Sequence, residues 1–166
     1  INAQEIRTMD ILEKIRLWDQ EIDSTLDLDE KAGYQEQIVE ILDAFFGDFP
    51  ENTVLRKPFA LALNNMAWLK LCNGDLGGAR EFLGRAGENY PGLHALSCNL
   101  AHCELLGGNL PKAVEMYRAL AGKKNESNKD FREIVPGDIK KLHASDALAP
   151  GILLKLEAEG ILRPGG

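Results

Sequence analysis

Cys98, His102 and Cys103 are the residues whose types and spacing come closest to a chemical site. Cys98 and His102 are four residues apart, so on a helix they share one face, where they could bind a metal or act as nucleophile and base. Two ligands do not complete a metal site. Cys72 belongs to a separate predicted helix and cannot easily converge with Cys98 and His102. Neither an oxyanion donor nor an acid that orients the base is evident nearby. The three cysteines are therefore predicted to be structural.

Other motifs in the chain are incomplete. Asp27-x-Asp29 lacks the third acidic ligand, the central glycine and the closing glutamate of a calcium loop. The glycines from Gly74 to Gly78 lack the Gly-Lys-Ser/Thr ending of a phosphate loop and are typical of a turn. Zinc-protease and paired-carboxylate motifs are absent from the sequence. We therefore expect a non-catalytic protein with no metal and no cofactor.

The composition argues against several kinds of partner. The 166 residues include 19 Lys+Arg and 26 Asp+Glu, and the resulting net charge of −7 disfavours binding to a nucleic-acid backbone. No stretch approaches the roughly 18 uninterrupted apolar residues of a membrane span, and residues 1–10 lack the pattern of a secretory signal. Three cysteines do not make a disulfide framework, which favours a reducing compartment. The expected location is the cytoplasm.

The charge is also distributed unevenly. Residues 1–51 have a net charge of −10, whereas residues 52–166 have a net charge of +3. An acidic end of this kind could attract a basic partner, or it could simply be the solvated face of two helices.

Apolar residues recur at helical spacing, and almost no segment alternates with period two, so the predicted fold class is all-α. Asn2 and Glu5 have the pattern of a capping box that begins a first helix over about 3–24. A second helix is predicted after the acidic stretch 26–30, and Gly47 and Pro50 would end it.

The rest of the chain is divided by Gly, Asn and Pro turns. Four further helices are predicted between Pro58 and Gly122, and a polar loop follows at 123–129. Beyond the loop, short helices are expected near 129–135, 138–147 and 151–159. Residues 163–166 are expected to form an irregular tail.

An internal repeat is the most informative feature of the sequence. Residues 60–93 match residues 94–127 at an offset of 34 without a gap. Seven positions are identical: Asn65 and Asn99, Ala67 and Ala101, Leu71 and Leu105, Gly74 and Gly108, Leu76 and Leu110, Ala79 and Ala113, Glu81 and Glu115. The alanines would allow neighbouring helices to approach closely, and the glycines suit a positive φ at a helix end. The pattern indicates a duplicated helix–turn–helix unit.

Residues 60–122 resemble the tetratricopeptide repeat family, which has the same period and the same order of small residue, Gly turn and Ala-x3-aromatic. The second copy includes Ala113-x3-Tyr117, but Leu63 and Ser97 stand where the family favours Trp. The resemblance implies a right-handed superhelix of stacked antiparallel helix pairs, with residues 1–166 as one domain. Its parts would be a degenerate pair (1–58), two repeats (59–93 and 94–127) and a helical cap (128–162).

In this family the first helix of each pair lines a concave groove that binds peptides. The resemblance implies that the groove of this chain is formed by Leu61, Asn64, Asn65, Trp68, Cys72, Ala95, Cys98, Asn99, His102 and Leu106. Asn65 and Asn99 would bind a ligand backbone through their amides, or would instead tie neighbouring helices together. Trp68 would be an aromatic anchor, or would be buried against the N-terminal helix pair. The groove lacks Lys and Arg, which argues against a clamp for a carboxylate terminus and predicts a neutral to apolar surface.

The predicted function is that of a non-catalytic scaffold that binds a peptide or helical segment of another protein, with no nucleic acid and no membrane involved. The alternatives are an oligomerisation or structural module, or a regulatory domain of a larger protein. A small thiol or metal enzyme is a third hypothesis. The N-terminal helix pair could also close the groove.

Overall fold

The computed structural model describes residues 1–164, and residues 165 and 166 of the predicted tail lie outside the described residues. The described chain is all-α, which confirms the predicted fold class. Its helices are α1 (Ala3–Ser24), α2 (Leu28–Asp48), α3 (Arg56–Cys72), α4 (Leu76–Asn89), α5 (His94–Leu106), α6 (Leu110–Leu120), α7 (Phe131–Ala144) and α8 (Ile152–Ala158). Within residues 1–164 the only pairing of strand type is an isolated bridge between Lys124 and Asp130.

The first two helices begin at side-chain caps. Asn2 and Glu5 form the predicted capping box at the start of α1. Asp27 accepts hydrogen bonds from the backbone N–H groups of Asp29 and Glu30 and so begins α2. The acidic stretch predicted to separate the two helices therefore supplies the cap and first turn of α2, where carboxylates also complement the helix dipole.

The backbone is consistent with the duplication predicted at an offset of 34. The ends of α3 and α5 are 34 residues apart, and so are the starts of α4 and α6. Gly74 and Gly108 have φ values of +72° and +84°, which an L side chain rarely adopts. The residues that follow them, Asp75 and Asn109, cap the next helix through their side chains. The four repeated alanines, Ala67, Ala79, Ala101 and Ala113, are fully buried, as close packing of the helices requires.

Neighbouring helices pack in chain order. Each helix from α1 to α5 contacts the next helix along the chain, and α3 also contacts α5. One core cluster extends from α1 to α5 and includes Leu142 of α7, and a second joins α5 and α6 to α7 and α8. This arrangement is consistent with stacked helix pairs.

The segment from 129 to 147 differs from its prediction. Two short helices separated by Pro136-Gly137 were expected, but α7 runs through both residues without a break. Val135, Ile139 and Leu142 are buried on one side of α7, so both halves of the helix bury apolar surface together and the lost hydrogen bond at Pro136 is tolerated. α7 contacts α3 as well as α6, so the cap returns to the first repeat.

Candidate functional site

A groove opens between the N-terminal helix pair, α3 and the loop 123–130. We call it the α3 groove, and its volume is about 740 Å³. Six of the residues predicted to form the concave surface line it: Leu61, Asn64, Asn65, Trp68, Cys72 and Ala95. The structure thus brings the α3 part of the predicted site together at one surface.

Trp68 and Asn65 are the accessible side chains of the groove floor. Trp68 is half-buried and packs at the edge of the first core cluster, with its ring centroid 5.8 Å from that of His102. Asn65 is exposed, and among residues 1–164 no hydrogen bond involves its side chain. An indole face and an unpaired amide are therefore both available to a ligand.

The groove walls are charged, whereas the sequence predicted a neutral to apolar surface. Asp19 and Asp23 come from α1, Lys31 from α2 and Lys141 from α7. Lys31 donates a hydrogen bond to the carbonyl of Ile22 at the end of α1. Reduced hydration raises the pKa of Asp19, and the adjacent charge of Asp23 adds to the shift, so a cation beside this pair would be favourable.

Of the predicted groove residues on α5, Ala95 lines the α3 groove, and the other four do not. Cys98, Asn99 and His102 are buried, and none of them lines the α3 groove. Asp138 of α7 contacts Cys98 and His102, whereas Asn99 is hydrogen-bonded to Asn64 of α3. Leu106 is half-buried and packs against the first core cluster.

Asn99 ties two helices together. Its amide donates to the backbone carbonyl of Asn64 at 3.2 Å and to the side-chain oxygen of Asn64 at 3.0 Å. Of the two roles predicted for Asn99, the structure therefore supports the tie between α3 and α5.

The buried side of α5 contains a polar cluster, which we call the α5–α7 cluster: Cys98, His102, Tyr117 and Asp138. His102 Nε2 lies 2.9 Å from Asp138 Oδ2 and 3.5 Å from Cys98 Sγ. His102 Nδ1 lies 2.6 Å from the hydroxyl of Tyr117, and Cys98 Sγ lies 3.8 Å from Asp138 Oδ2. A neutral imidazole satisfies these contacts when Nε2–H donates to Asp138 and the hydroxyl of Tyr117 donates to Nδ1.

The cluster supplies the acid beside His102 that the sequence did not reveal, but its geometry is not that of a nucleophile–base–acid triad. In a triad the base contacts its nucleophile through one ring nitrogen and its acid through the other, whereas Cys98 and Asp138 both face Nε2 of His102. Burial and the charge of Asp138 strongly raise the pKa of Cys98, which keeps the thiol protonated. A Cys98 thiolate nucleophile is therefore disfavoured.

Sequence reasoning missed Asp138 and Tyr117. One signal was available for Tyr117, because three positions of the cluster differ between the repeats: Asn64, Trp68 and Leu83 of the first copy become Cys98, His102 and Tyr117 in the second. Two of these changes, Trp68 to His102 and Leu83 to Tyr117, place a stronger hydrogen-bonding group at a packing position, which indicates a shared polar environment. Asp138 lies beyond the repeats, in a segment predicted to be interrupted at Pro136, and nothing in its spacing indicates the contact.

A second cavity, of about 650 Å³, lies between α6, α7 and the C-terminal segment. Its cations are partly paired, since Arg118 contacts Glu159 and Arg132 contacts Asp130, each at 2.9 Å. It lacks the exposed floor of indole and amide, so the α3 groove is the better candidate for ligand binding.

Comparison of the chain with protein-family models, curated proteins and solved structures found no match. None of the helices within residues 1–164 combines the length and apolar character needed to cross a membrane.

Proposed function

We propose that this chain is a non-catalytic interaction module, similar to tetratricopeptide repeats, that binds a peptide or helical segment of a protein partner in the α3 groove. The observation that supports this most is that Trp68, which is half-buried, and Asn65, whose side chain has no hydrogen bond within residues 1–164, lie side by side on the groove face of α3. Such a surface offers apolar contact and a backbone-matching amide side by side.

The walls favour a particular ligand chemistry. An apolar residue of the ligand would pack on Trp68, and a Lys or Arg of the ligand would lie beside Asp19 and Asp23. Reduced hydration and, to a lesser degree, the charge of Asp23 raise the pKa of Asp19, and a bound cation would offset both effects. We therefore expect ligand segments that combine apolar and basic residues.

The test begins with selection of peptides on the intact protein from a random display library, followed by calorimetric titration of the best binder. Trp68→Ala is expected to weaken binding by about 2 kcal/mol or more, which is roughly 30-fold, if Trp68 is the anchor. Asn65→Ala is expected to weaken it less, because one amide hydrogen bond contributes about 1 kcal/mol. Leu154→Ala is the matched control, since Leu154 is 71% exposed on α8 outside the groove. Unchanged affinity for Trp68→Ala would contradict the proposal.

A second candidate function is self-association through α1. Four apolar side chains of this helix are exposed, namely Ile6, Met9, Leu12 and Leu17. They form a broad stripe on the helix surface, which is typical of a contact face. Sedimentation equilibrium over a wide concentration range tests this candidate. A mass that rises with concentration and returns to that of the monomer in Met9→Lys would support it, and a constant monomer mass would exclude it.

A further inference from the structure

Three side-chain donors of the α5–α7 cluster converge on one point. Cys98 Sγ, His102 Nε2 and Asp138 Oδ2 all lie within 4.8 Å of one another. Cys98 and His102 are one turn apart on α5, whereas Asp138 comes from α7, so two elements distant in sequence supply one set of ligand atoms. Thiolate, imidazole and carboxylate are the three ligand types that proteins use for zinc.

The distances between the ligand atoms are within about half an ångström of those around a tetrahedral zinc ion. Zinc–sulfur bonds of about 2.3 Å and zinc–nitrogen or zinc–oxygen bonds of about 2.0 to 2.1 Å place the ligand atoms about 3.3 to 3.6 Å apart. The observed separations are 3.5 Å for Cys98 to His102, 2.9 Å for His102 to Asp138 and 3.8 Å for Cys98 to Asp138. Shifts of about half an ångström in the side chains would complete the geometry.

The charges of a divalent cation and its ligands also balance in the buried α5–α7 cluster. A divalent cation with one thiolate and one carboxylate leaves no net charge, which buried ions require. On binding, the Cys98 thiol loses its proton to solvent and sulfur bonds to the metal. The proton on His102 Nε2 is replaced by the metal while Nδ1 gains one, so the imidazole stays neutral. One proton is released for each ion bound.

Tyr117 provides the outer contact that a histidine ligand needs. With the metal on Nε2, His102 Nδ1–H donates to the hydroxyl of Tyr117, at the observed 2.6 Å. Asp138 retains 21% side-chain exposure, which leaves a side of the cluster from which an ion and a water could enter. The equivalent positions of the first repeat, Asn64, Trp68 and Leu83, have no such set of donors.

We propose that Cys98, His102 and Asp138 bind a zinc ion, with water as the fourth ligand, and that this ion joins α7 to α5. The proposal does not depend on ligand binding in the α3 groove. It replaces the sequence-based expectation of no metal, which rested on finding only two ligands.

The test is titration of the reduced intact protein with Co²⁺, whose thiolate complexes have a charge-transfer band in the near ultraviolet, followed by displacement with Zn²⁺. We expect one Co²⁺ per chain, the band, its loss on addition of Zn²⁺, and release of one proton for each zinc bound at neutral pH. Zinc is also expected to raise the Tm. Absence of the band in the intact protein would overturn the proposal.

Variants locate the site. Cys98→Ser is expected to abolish the band, whereas Cys103→Ala, which removes a buried thiol of the same helix, is expected to retain it. Tyr117→Phe is expected to weaken metal binding about 10- to 100-fold without loss of the band at saturation. Far-UV circular dichroism checks that each variant is folded. A band that persists in Cys98→Ser, or that is lost in Cys103→Ala, would overturn the assignment of the ligands. If Cys98→Ser does not fold, the Co²⁺ titration of the intact protein tests the metal site.

Discussion

Asn65 and Asn99 occupy the same position in the two repeats and have different tasks. Asn99 is buried and bonds to Asn64, whereas Asn65 is exposed. Asn99→Ala leaves the side-chain oxygen of Asn64 buried without its partner, so we expect a loss of about 1 to 3 kcal/mol in the free energy of unfolding. Urea unfolding monitored by circular dichroism measures it.

Asn65→Ala is the matched control for Asn99→Ala, because the same substitution at the equivalent repeat position removes no hydrogen bond. We expect a change within about 0.5 kcal/mol for this exposed position. If both variants lose the same stability, the tie between α3 and α5 does not explain the role of Asn99.

The residue-scale comparison shows how far the sequence specifies the site. Helical spacing correctly grouped Asn65, Trp68 and Cys72 on one face of α3, because that spacing is a local property of the helix. The same spacing grouped Cys98 and His102 on α5, but it contains no information about what covers that face. Burial by α7 is a tertiary contact, so it could not be derived from the repeat alone.

Among the elements, α5 depends on a cap from outside the helix. Its own N-cap residue, Leu93, has no side chain that could bond to the first turn. Instead Glu126, from the loop 123–130, accepts hydrogen bonds from the backbone N–H groups of His94 at 2.8 Å and Ala95 at 3.0 Å. The carboxylate also lies at the positive end of the helix dipole. The loop thus fixes the start of the helix that carries Cys98 and His102.

Glu126→Ala is therefore expected to cost about 0.5 to 2 kcal/mol of stability, since it removes a charged cap. Amide hydrogen exchange should accelerate at His94 and Ala95 more than elsewhere in α5. Glu115→Ala serves as control, because Glu115 is exposed on α6 and its side chain has no hydrogen bond within residues 1–164. Equal exchange at the start of α5 in both variants would count against the cap.

The turns between paired helices give a second prediction at this scale. Gly108 has a positive φ, so Gly108→Ala is expected to destabilise the protein by about 1 kcal/mol, although a Cβ would meet no atom there. Gly84→Ala, inside α4 with equally open space around it, is expected to stabilise it by up to about 1 kcal/mol. Thermal unfolding of the two variants measures the difference. A Tm shift of the same sign in both would rule out backbone conformation as its cause.

Helix starts and turns were largely predictable, whereas the extent of α7 was not. Asn2 with Glu5, and Gly74 with Asp75, are local signals whose energies arise within a few residues. Pro136 is also a local signal, but its cost in α7 is offset by burial of Val135, Ile139 and Leu142 against two core clusters. A local rule therefore failed where long-range packing was stronger.

For the molecule as a whole, the buried thiols make stability dependent on pH. Burial is the main cause that raises the pKa of both Cys72 and Cys103 to about 11, whereas a thiol in the unfolded chain has a pKa of about 8.5. Below about pH 8 each thiol is protonated in both states and contributes no difference. As the pH rises toward about 11, the unfolded chain loses protons that the folded chain keeps, so stability falls by about 1.4 kcal/mol per pH unit for each such proton.

Cys103→Ala isolates one of these protons. Urea unfolding between about pH 9 and pH 11 measures the slope of unfolding free energy against pH. We expect this slope to be shallower in the variant than in the intact protein, by the contribution of about one proton. Gly84→Ala changes stability without changing a titrating group, so its slope should equal that of the intact protein. Because the slope counts protons, it is independent of the stability that Cys103→Ala loses by leaving a small cavity. An unchanged slope would mean that the Cys103 thiol titrates alike in the folded and unfolded chains, and its burial would then not be a source of alkaline instability.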